Sequence, residues 1–217
     1  MDTNANFWHQ RWETNEIGFH QNQVNPLLVT YFEALTLTKG SRVFVPLCGK
    51  TLDIGWLLAN DCRVAGAELS ELAVKQLFTE LALEPQIADM GELKHYSATD
   101  LDIFVGDIFN LTRKTLGAVD AVFDRAALVA LPENVRIRYA SHLIDITDNA
   151  SQLLITYAYD QNLMQGPPFS VSNEEVNRHY KDRYTISSLA SLEVVGGMRR
   201  TYPAKENVWL LKPLTTR

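Results

Sequence analysis

The sequence predicts a doubly wound α/β fold, with a mostly parallel sheet covered by helices on both faces. Short β-favouring runs alternate with helical stretches from Gly40 onward, and the connections between them are short. No internal repeat, low-complexity tract or Gly/Ser/Pro linker divides the 217 residues, so one domain is expected over 1–217.

Val43-Phe44-Val45 reads as the first strand and stops at Pro46. A helix follows, with Leu52, Trp56 and Leu57 on one side, fading at Asn60-Asp61. Residues 63–68 form the second strand, and Ser70 with Glu71 opens a helix through Val74, Leu77, Phe78 and Leu81. The polar stretch 84–99 is expected to be irregular. Leu101 to Val105 is the third strand and 120–124 the fourth, followed by a helix over 132–147. A fifth strand spans 152–159, and after the Gly166-Pro167-Pro168 break a short helix covers 173–180. The last runs, 184–195 and 207–212, have no helix between them and are expected to form a hairpin, with one strand antiparallel to the rest. Residues 1–40 lie outside the alternation and read as a helical extension over one rim. Right-handed crossovers place the ends of the first strands on that rim, where ligands bind at the topological switch point.

Composition narrows the function. Hydrophobic residues at 46% and charged residues at 21% exclude disorder, collagen and coiled coil. Twenty basic against 26 acidic residues give a charge of −6 with no basic cluster, which excludes nucleic acid as the partner. No apolar run approaches the roughly 18 residues of a membrane span. The segment MDTNANFWHQRWE has no basic stretch followed by an apolar one, so no signal peptide is expected. Cys48 and Cys62 cannot frame a disulfide scaffold or a four-cysteine zinc site, and a reducing, cytoplasmic setting follows. His9, His20, His95, His142 and His179 show no metal-ligand spacing, so no metal is expected.

The loop after the first strand, Leu47-Cys48-Gly49-Lys50-Thr51, ends like a phosphate loop. Phe44, however, stands where the Walker pattern needs its first glycine. The three-glycine dinucleotide fingerprint is also missing, because Gly49 stands alone. One glycine suits a ligand that approaches the backbone without a pyrophosphate. Glu68 ends the second strand 21 residues after Leu47, where Rossmann-like folds place the acid that accepts from ribose hydroxyls. Asp107 and Ile108, after the third strand, would meet an adenine by hydrogen bond and apolar contact. Together the three rim positions favour a nucleoside without phosphates, most commonly S-adenosylmethionine.

Several segments in order identify the chain as similar to the thiopurine S-methyltransferase family in its bacterial form. They are FWHQRWETNEIGFHQNQVNPLL from Phe7, RVFVPLCGKTLDIGWLL from Arg42, VAGAELSELAV from Val64, DIFNL from Asp107, FDRAALVALP from Phe123 and GPPF from Gly166. The resemblance implies a Rossmann-like class I S-adenosylmethionine-dependent methyltransferase with a seven-stranded sheet. It also implies methyl transfer to a thiol or selenol, leaving S-adenosylhomocysteine. Cofactor positions carried over residue by residue are Trp12, Leu47, Glu68 and Arg125, with Asp107 and Ile108 on the adenine side; Gly49 joins them from the reading of the loop itself. Phe19 matches a position near the substrate, and the substrate-facing arginine falls at Arg199 or Arg200, with Arg200 taken as the site residue. Residues 84–99 and the last two strands match animal members poorly.

The residue types suit that chemistry. Trp8 and Trp12 lie four apart on one helix face, so their indoles either shield a cofactor or staple the extension to the core. An aromatic face near a sulfonium contributes roughly 0.5–2 kcal/mol. Arg125 is placed either to bind a carboxylate or charged substrate, or to pair with Asp124. Arg125 and Asp124 are the catalytic candidates, and His20 is a further candidate base. Phe19 and Phe169 are placed to pack on a flat substrate ring, and Phe169, after two prolines, reads equally as a packed turn residue. Cys48 reads as a packing residue, and Lys50 as a solvated or helix-facing one. An ionised thiol needs little acid–base help, so alignment carries most of the rate. Two other classes stand beside this reading: a non-catalytic S-adenosylmethionine-binding module and a NAD-dependent oxidoreductase. A small thiol is the expected partner, and a monomer the expected state.

Overall fold

Val43, Phe44 and Val45 are all buried, as side chains on both faces of a strand must be when helices cover both sides of the sheet. The computed structural model describes residues 3–214. Its strands are β1 (Arg42–Pro46), β2 (Arg63–Glu68), β3 (Gln86–Asp89), β4 (Lys94–Ala98) and β5 (Leu101–Val105). After these come β6 (Ala121–Arg125), β7 (Ser151–Tyr159), β8 (Tyr184–Glu193) and β9 (Ala204–Pro213). They form one sheet in the order β3-β4-β5-β2-β1-β6-β7-β9-β8. β5, β2, β1, β6 and β7 run parallel. The chain winds outward from β1 through β2 to β5, then crosses back to β6 and β7, so the switch point lies between β1 and β6. All five strands end on one rim there.

The seven expected strands form, and the C-terminal pair is a hairpin in which β9 runs antiparallel to β7. The stretch 84–99 is not irregular. It forms β3 and β4, an antiparallel pair added beside β5, so the sheet has nine strands rather than seven. β3 is an edge strand exposed along its length, so it carries no alternation of apolar and polar residues. β4 buries Tyr96, while His95 stacks on Phe104 of β5 with centroids 4.9 Å apart. A short strand that packs one polar-tipped ring on each face gives almost no periodic signal.

Helices α3 (Leu52–Ala59) and α4 (Glu71–Glu80) cover one face through Ile54, Leu57, Val74, Leu77 and Phe78. The opposite face is covered by α5 (Arg113–Leu116), α6 (Glu133–Ile146) and α7 (Asn173–Tyr180), through Leu116, Tyr139, Leu143, Val176 and Tyr180. Thr51, Ser70 and Ser172 cap α3, α4 and α7 through their side-chain oxygens.

The extension contains α1 (Thr3–Glu13) and α2 (Pro26–Tyr31). The Asn25 side chain caps α2, accepting from the Leu27 N–H at 2.8 Å. Buried Asp53, in the first turn of α3, accepts the Asn25 N–H at 2.7 Å and the Thr51 hydroxyl at 2.9 Å. One carboxylate thus ties the extension to the loop that follows β1. Replacing Asp53 with Ala leaves the buried Asn25 N–H unpaired, and we expect urea denaturation to show a loss of about 1–3 kcal/mol.

Candidate active site

Glu68 ends β2 and points into the rim, with 6% of its surface exposed. One carboxylate oxygen accepts the Gly49 N–H at 2.7 Å and the other the Ser70 N–H at 2.8 Å. Burial pushes its pKa above the usual carboxylate range, and backbone N–H groups of Ser70, Gly49 and Leu69 pull against that shift. Each oxygen keeps a further acceptor direction, so the fixed carboxylate can still receive two hydroxyls.

The loop after β1 takes left-handed backbone at Leu47 (φ 46°) and Gly49 (φ 52°). A methyl group on Gly49 would lie 2.9 Å from Cζ2 of Trp12, so the absent side chain is what lets the indole rest on the loop. Trp12 is buried, and Phe19 meets both indoles edge-on, at 5.6 Å from Trp12 and 5.5 Å from Trp8. The Cys48 thiol packs over Gly66, and burial pushes it well above its ordinary range, so it is no nucleophile at neutral pH. Lys50 pairs with Glu80 at 2.7 Å, the helix-facing placement rather than a phosphate ligand.

Beyond β5 the backbone turns at Gly106 (φ 139°), where a side chain would strike Leu93 and the Glu92 carbonyl. Asp107 accepts the Phe109 N–H at 3.0 Å and stays exposed, while Ile108 is buried beside it. Phe109 lies under the Arg138 guanidinium, 4.1 Å from its centroid, and His142 bonds the Ile108 carbonyl oxygen at 2.8 Å.

At the end of β6, Asp124 and Arg125 part company. Neighbours on a strand face opposite ways, so of the two placements open to Arg125 the ion pair with Asp124 does not form. Asp124 is fully buried, accepting the Tyr139 hydroxyl at 2.7 Å and the Leu128 N–H at 3.1 Å. It does not reach the cavity, which removes it as a catalytic candidate. Arg125 does reach the cavity, and its buried Nε has no partner. Tyr157 stands beside it, two residues beyond the position paired with Arg125 on β7.

These groups line one cavity of about 780 Å³. Trp8, Trp12, Phe19 and His20 form the extension's wall, facing Leu47, Gly49, Glu68, Asp107 and Ile108, with Arg125 and Tyr157 at the end of β6 and β7. Pro167, Pro168, Met198 and Arg199 close the remaining side. Arg200, the residue preferred from sequence, lies outside the lining. The turn before β9 presents Arg199 instead, bonded to the Pro167 carbonyl oxygen at 3.4 Å. Phe169 is also outside. Its ring folds back onto Gly166 (φ 78°), where a side chain would meet it at 2.6 Å, and Arg136 lies 5.8 Å from its centroid. His20 is held below its ordinary range by burial and by Lys50 and Arg125, against Glu80. Sequence reasoning missed Tyr157, whose only signal was its place near the end of a strand on the active rim. Among the described residues, no His, Cys, Asp and Glu group is arranged to hold a metal ion.

An adenosine-bearing cofactor fits this lining. Glu68 keeps free acceptor directions at the floor, Ile108 and Phe109 give an apolar edge, and the unpartnered Arg125 Nε is a donor suited to a carboxylate.

The sequence model of the Thiopurine S-methyltransferase family matches residues 3–212. A "Thiopurine S-methyltransferase" of Xanthobacter autotrophicus is 53% identical, covering 95% of this chain and 97% of the relative. One from Teredinibacter turnerae is 51% identical, with 95% and 96% covered. Among solved structures, magnesium protoporphyrin IX methyltransferase from Synechocystis with bound S-adenosylmethionine superposes with a TM-score of 0.66 at 14% identity, covering 98% of each chain. The 1,6-didemethyltoxoflavin N1-methyltransferase of Burkholderia thailandensis gives 0.64 at 11% identity, with 96% and 87% covered. At such identities these two show the shared fold alone.

The burial of Asp124 has a consequence for stability. Desolvation lifts its carboxyl from 3.8 to about 6, with Tyr139 and the Leu128 and Ala127 N–H groups opposing. The folded state therefore binds more protons than the unfolded state between these values. The resulting stabilisation is complete below the unfolded value and is lost as pH rises through the folded one. We expect Asp124→Asn to gain roughly 2–3 kcal/mol relative to wild type between about pH 4 and pH 7.5, read by urea denaturation. A pH-independent difference would contradict this.

Proposed function

We propose that this chain, which belongs to the thiopurine S-methyltransferase family, transfers a methyl group from S-adenosyl-L-methionine to the sulfur of an aromatic or heterocyclic thiol. Thiopurines are the substrate class the family name gives, and selenium or tellurium species present the same soft nucleophile. The observation that carries the reading is the buried Glu68 carboxylate, fixed by the Gly49 and Ser70 N–H groups on the floor of a cavity open to an apolar ring.

S-Adenosylmethionine, when bound, supplies a methyl group on a sulfonium centre that a nucleophile attacks in line. The chain's own part is placement. Glu68 accepts the ribose hydroxyls, Ile108 and Phe109 flank the adenine, and Asp107 takes a hydrogen bond at its edge. Leu47, Gly49 and Trp12 form the wall against which the cofactor lies, and the indole keeps water out. Arg125 brings its guanidinium to a carboxylate or to a substrate bearing negative charge, since guanidinium stays cationic at any working pH. Phe19, Pro167 and Pro168 bound the side where a flat ring enters, and Arg199 adds a second cation there. Alignment of this kind supplies about 7–11 kcal/mol of the barrier reduction in well-oriented reactions.

The same reading has the whole chain acting as one catalytic unit, residues 1–40 covering the site, as a cytoplasmic monomer. It is supported by the −6 charge, by two free buried cysteines and by the packing of α1 on the cavity. No helix among the described residues is long and apolar enough to cross a membrane.

Incubation with S-adenosylmethionine and a panel of aromatic thiols, thiopurines included, is expected to give the S-methyl products by mass spectrometry. Cofactor binding with no methylated product would reduce the protein to a binding module. We expect Glu68→Ala to weaken S-adenosylhomocysteine binding by about 1.5–3 kcal/mol in calorimetry. Arg125→Ala is expected to keep the melting temperature while lowering turnover about tenfold or more. Wild-type rates in that variant would leave Arg125 outside the chemistry.

A further inference from the structure

A thiol that is still protonated must lose its proton if it is to end as a neutral thioether. An alkyl thiol with a pKa near 8.5 is mostly protonated at neutral pH, and its thiolate is the nucleophile. Among the cavity's basic groups, Arg125 cannot take a proton. Burial, with the Lys50 and Arg125 cations, disfavours the protonated form of His20 against the pull of Glu80. The sheet supplies another route. Arg125 is paired with Ile155 across β6 and β7, and Tyr157 lies two residues further on, on the same face. Tyr157 is in turn paired with Glu206 across β7 and β9, and directly opposite side chains on an antiparallel pair are in contact range. Tyr157 lines the cavity and Glu206 does not. Glu206 is half-buried and so keeps access to water.

We propose that Tyr157 and Glu206 form a proton exit for neutral thiol substrates: the thiol proton passes to the Tyr157 oxygen as the Tyr157 proton passes to the Glu206 carboxylate. This rests on the methyltransferase reading above. The S–H bond breaks with its electron pair left on sulfur, beside the Arg125 cation. On Tyr157 one O–H bond forms as another breaks, so the phenol ends neutral as it began. Glu206 becomes the carboxylic acid and returns the proton to water. No oxidant or further reactant is needed. The phenol is held protonated at rest, because burial and the Glu206 charge push it up to about 12 against the pull of Arg125. After transfer its O–H donates to the new thiolate.

The test compares two thiols of similar ring size, an aromatic one ionised at the assay pH and a benzylic one that is not. In Tyr157→Phe and in Glu206→Gln, kcat/KM for the neutral thiol is expected to fall about a hundredfold beyond any fall for the ionised one, the lower end of the general acid–base range. A second readout needs no turnover. Ultraviolet titration of the aromatic thiol bound with S-adenosylhomocysteine is expected to show its apparent pKa about one unit higher in Tyr157→Phe, where the donor to the thiolate is gone. Glu206→Gln keeps that donor and is expected to leave the titration unchanged. Calorimetric binding of S-adenosylhomocysteine by both variants checks that they fold, and either variant alone suffices for the rate comparison. Equal losses for the two thiols would overturn the proton exit while leaving the methyltransferase reading intact. Failure of the wild type to methylate either thiol would overturn both.

Discussion

The rim of this protein depends on one buried carboxylate holding two backbone N–H groups. Glu68 reaches from the end of β2 to the Gly49 N–H in the neighbouring loop and to the Ser70 N–H in its own turn. The loop it holds is strained, since Leu47 takes a left-handed conformation at φ 46° that costs roughly 1–2 kcal/mol for a residue with a side chain. A hydrogen bond to a charged acceptor contributes about 1.5–3 kcal/mol, so the Gly49 contact alone offsets the strain. Once Gly49 is held, its bare Cα gives Trp12 a seat, and Trp12 with Phe19 orders the aromatic wall of α1. The residue that would receive a ribose is thus the one that shapes the rest of the pocket.

A similar economy governs the end of β6, where consecutive charged residues serve opposite sides of the sheet. Asp124 anchors the turn after the strand through the Leu128 N–H and holds α6 through Tyr139. Arg125 faces the cavity with Nε free. Had the two paired with each other, the turn would lose its acceptor and the cavity its cation. The pleat forbids that pairing and so preserves both functions. The further register from Arg125 through Tyr157 to Glu206 continues the same face of the sheet outward toward solvent.

Most of this was legible in the sequence because the parallel strands are short apolar runs punctuated by helix caps. The Glu68 position followed from its distance to the loop, and Trp8, Trp12 and Phe19 from their segment. What escaped notice lacked a periodic signature. β3 is exposed along its length and β4 packs through Tyr96 and His95, so neither shows strand alternation. The choice between Arg199 and Arg200 turned on a tight turn in which both residues have positive φ, at 49° and 57°. The two roles open to Phe169 were not separable from sequence, because the ring's return onto Gly166 depends on backbone angles that its neighbours in sequence do not announce. Tyr157 needed the sheet register, which only the fold supplies.

The most direct test is a crystal structure of the protein with S-adenosylhomocysteine. The account predicts the ribose hydroxyls on the Glu68 carboxylate, with the Gly49 and Ser70 contacts still in place and the Trp12 indole against the ligand. A ligand bound elsewhere, or a Glu68 side chain turned away from the ribose, would contradict it.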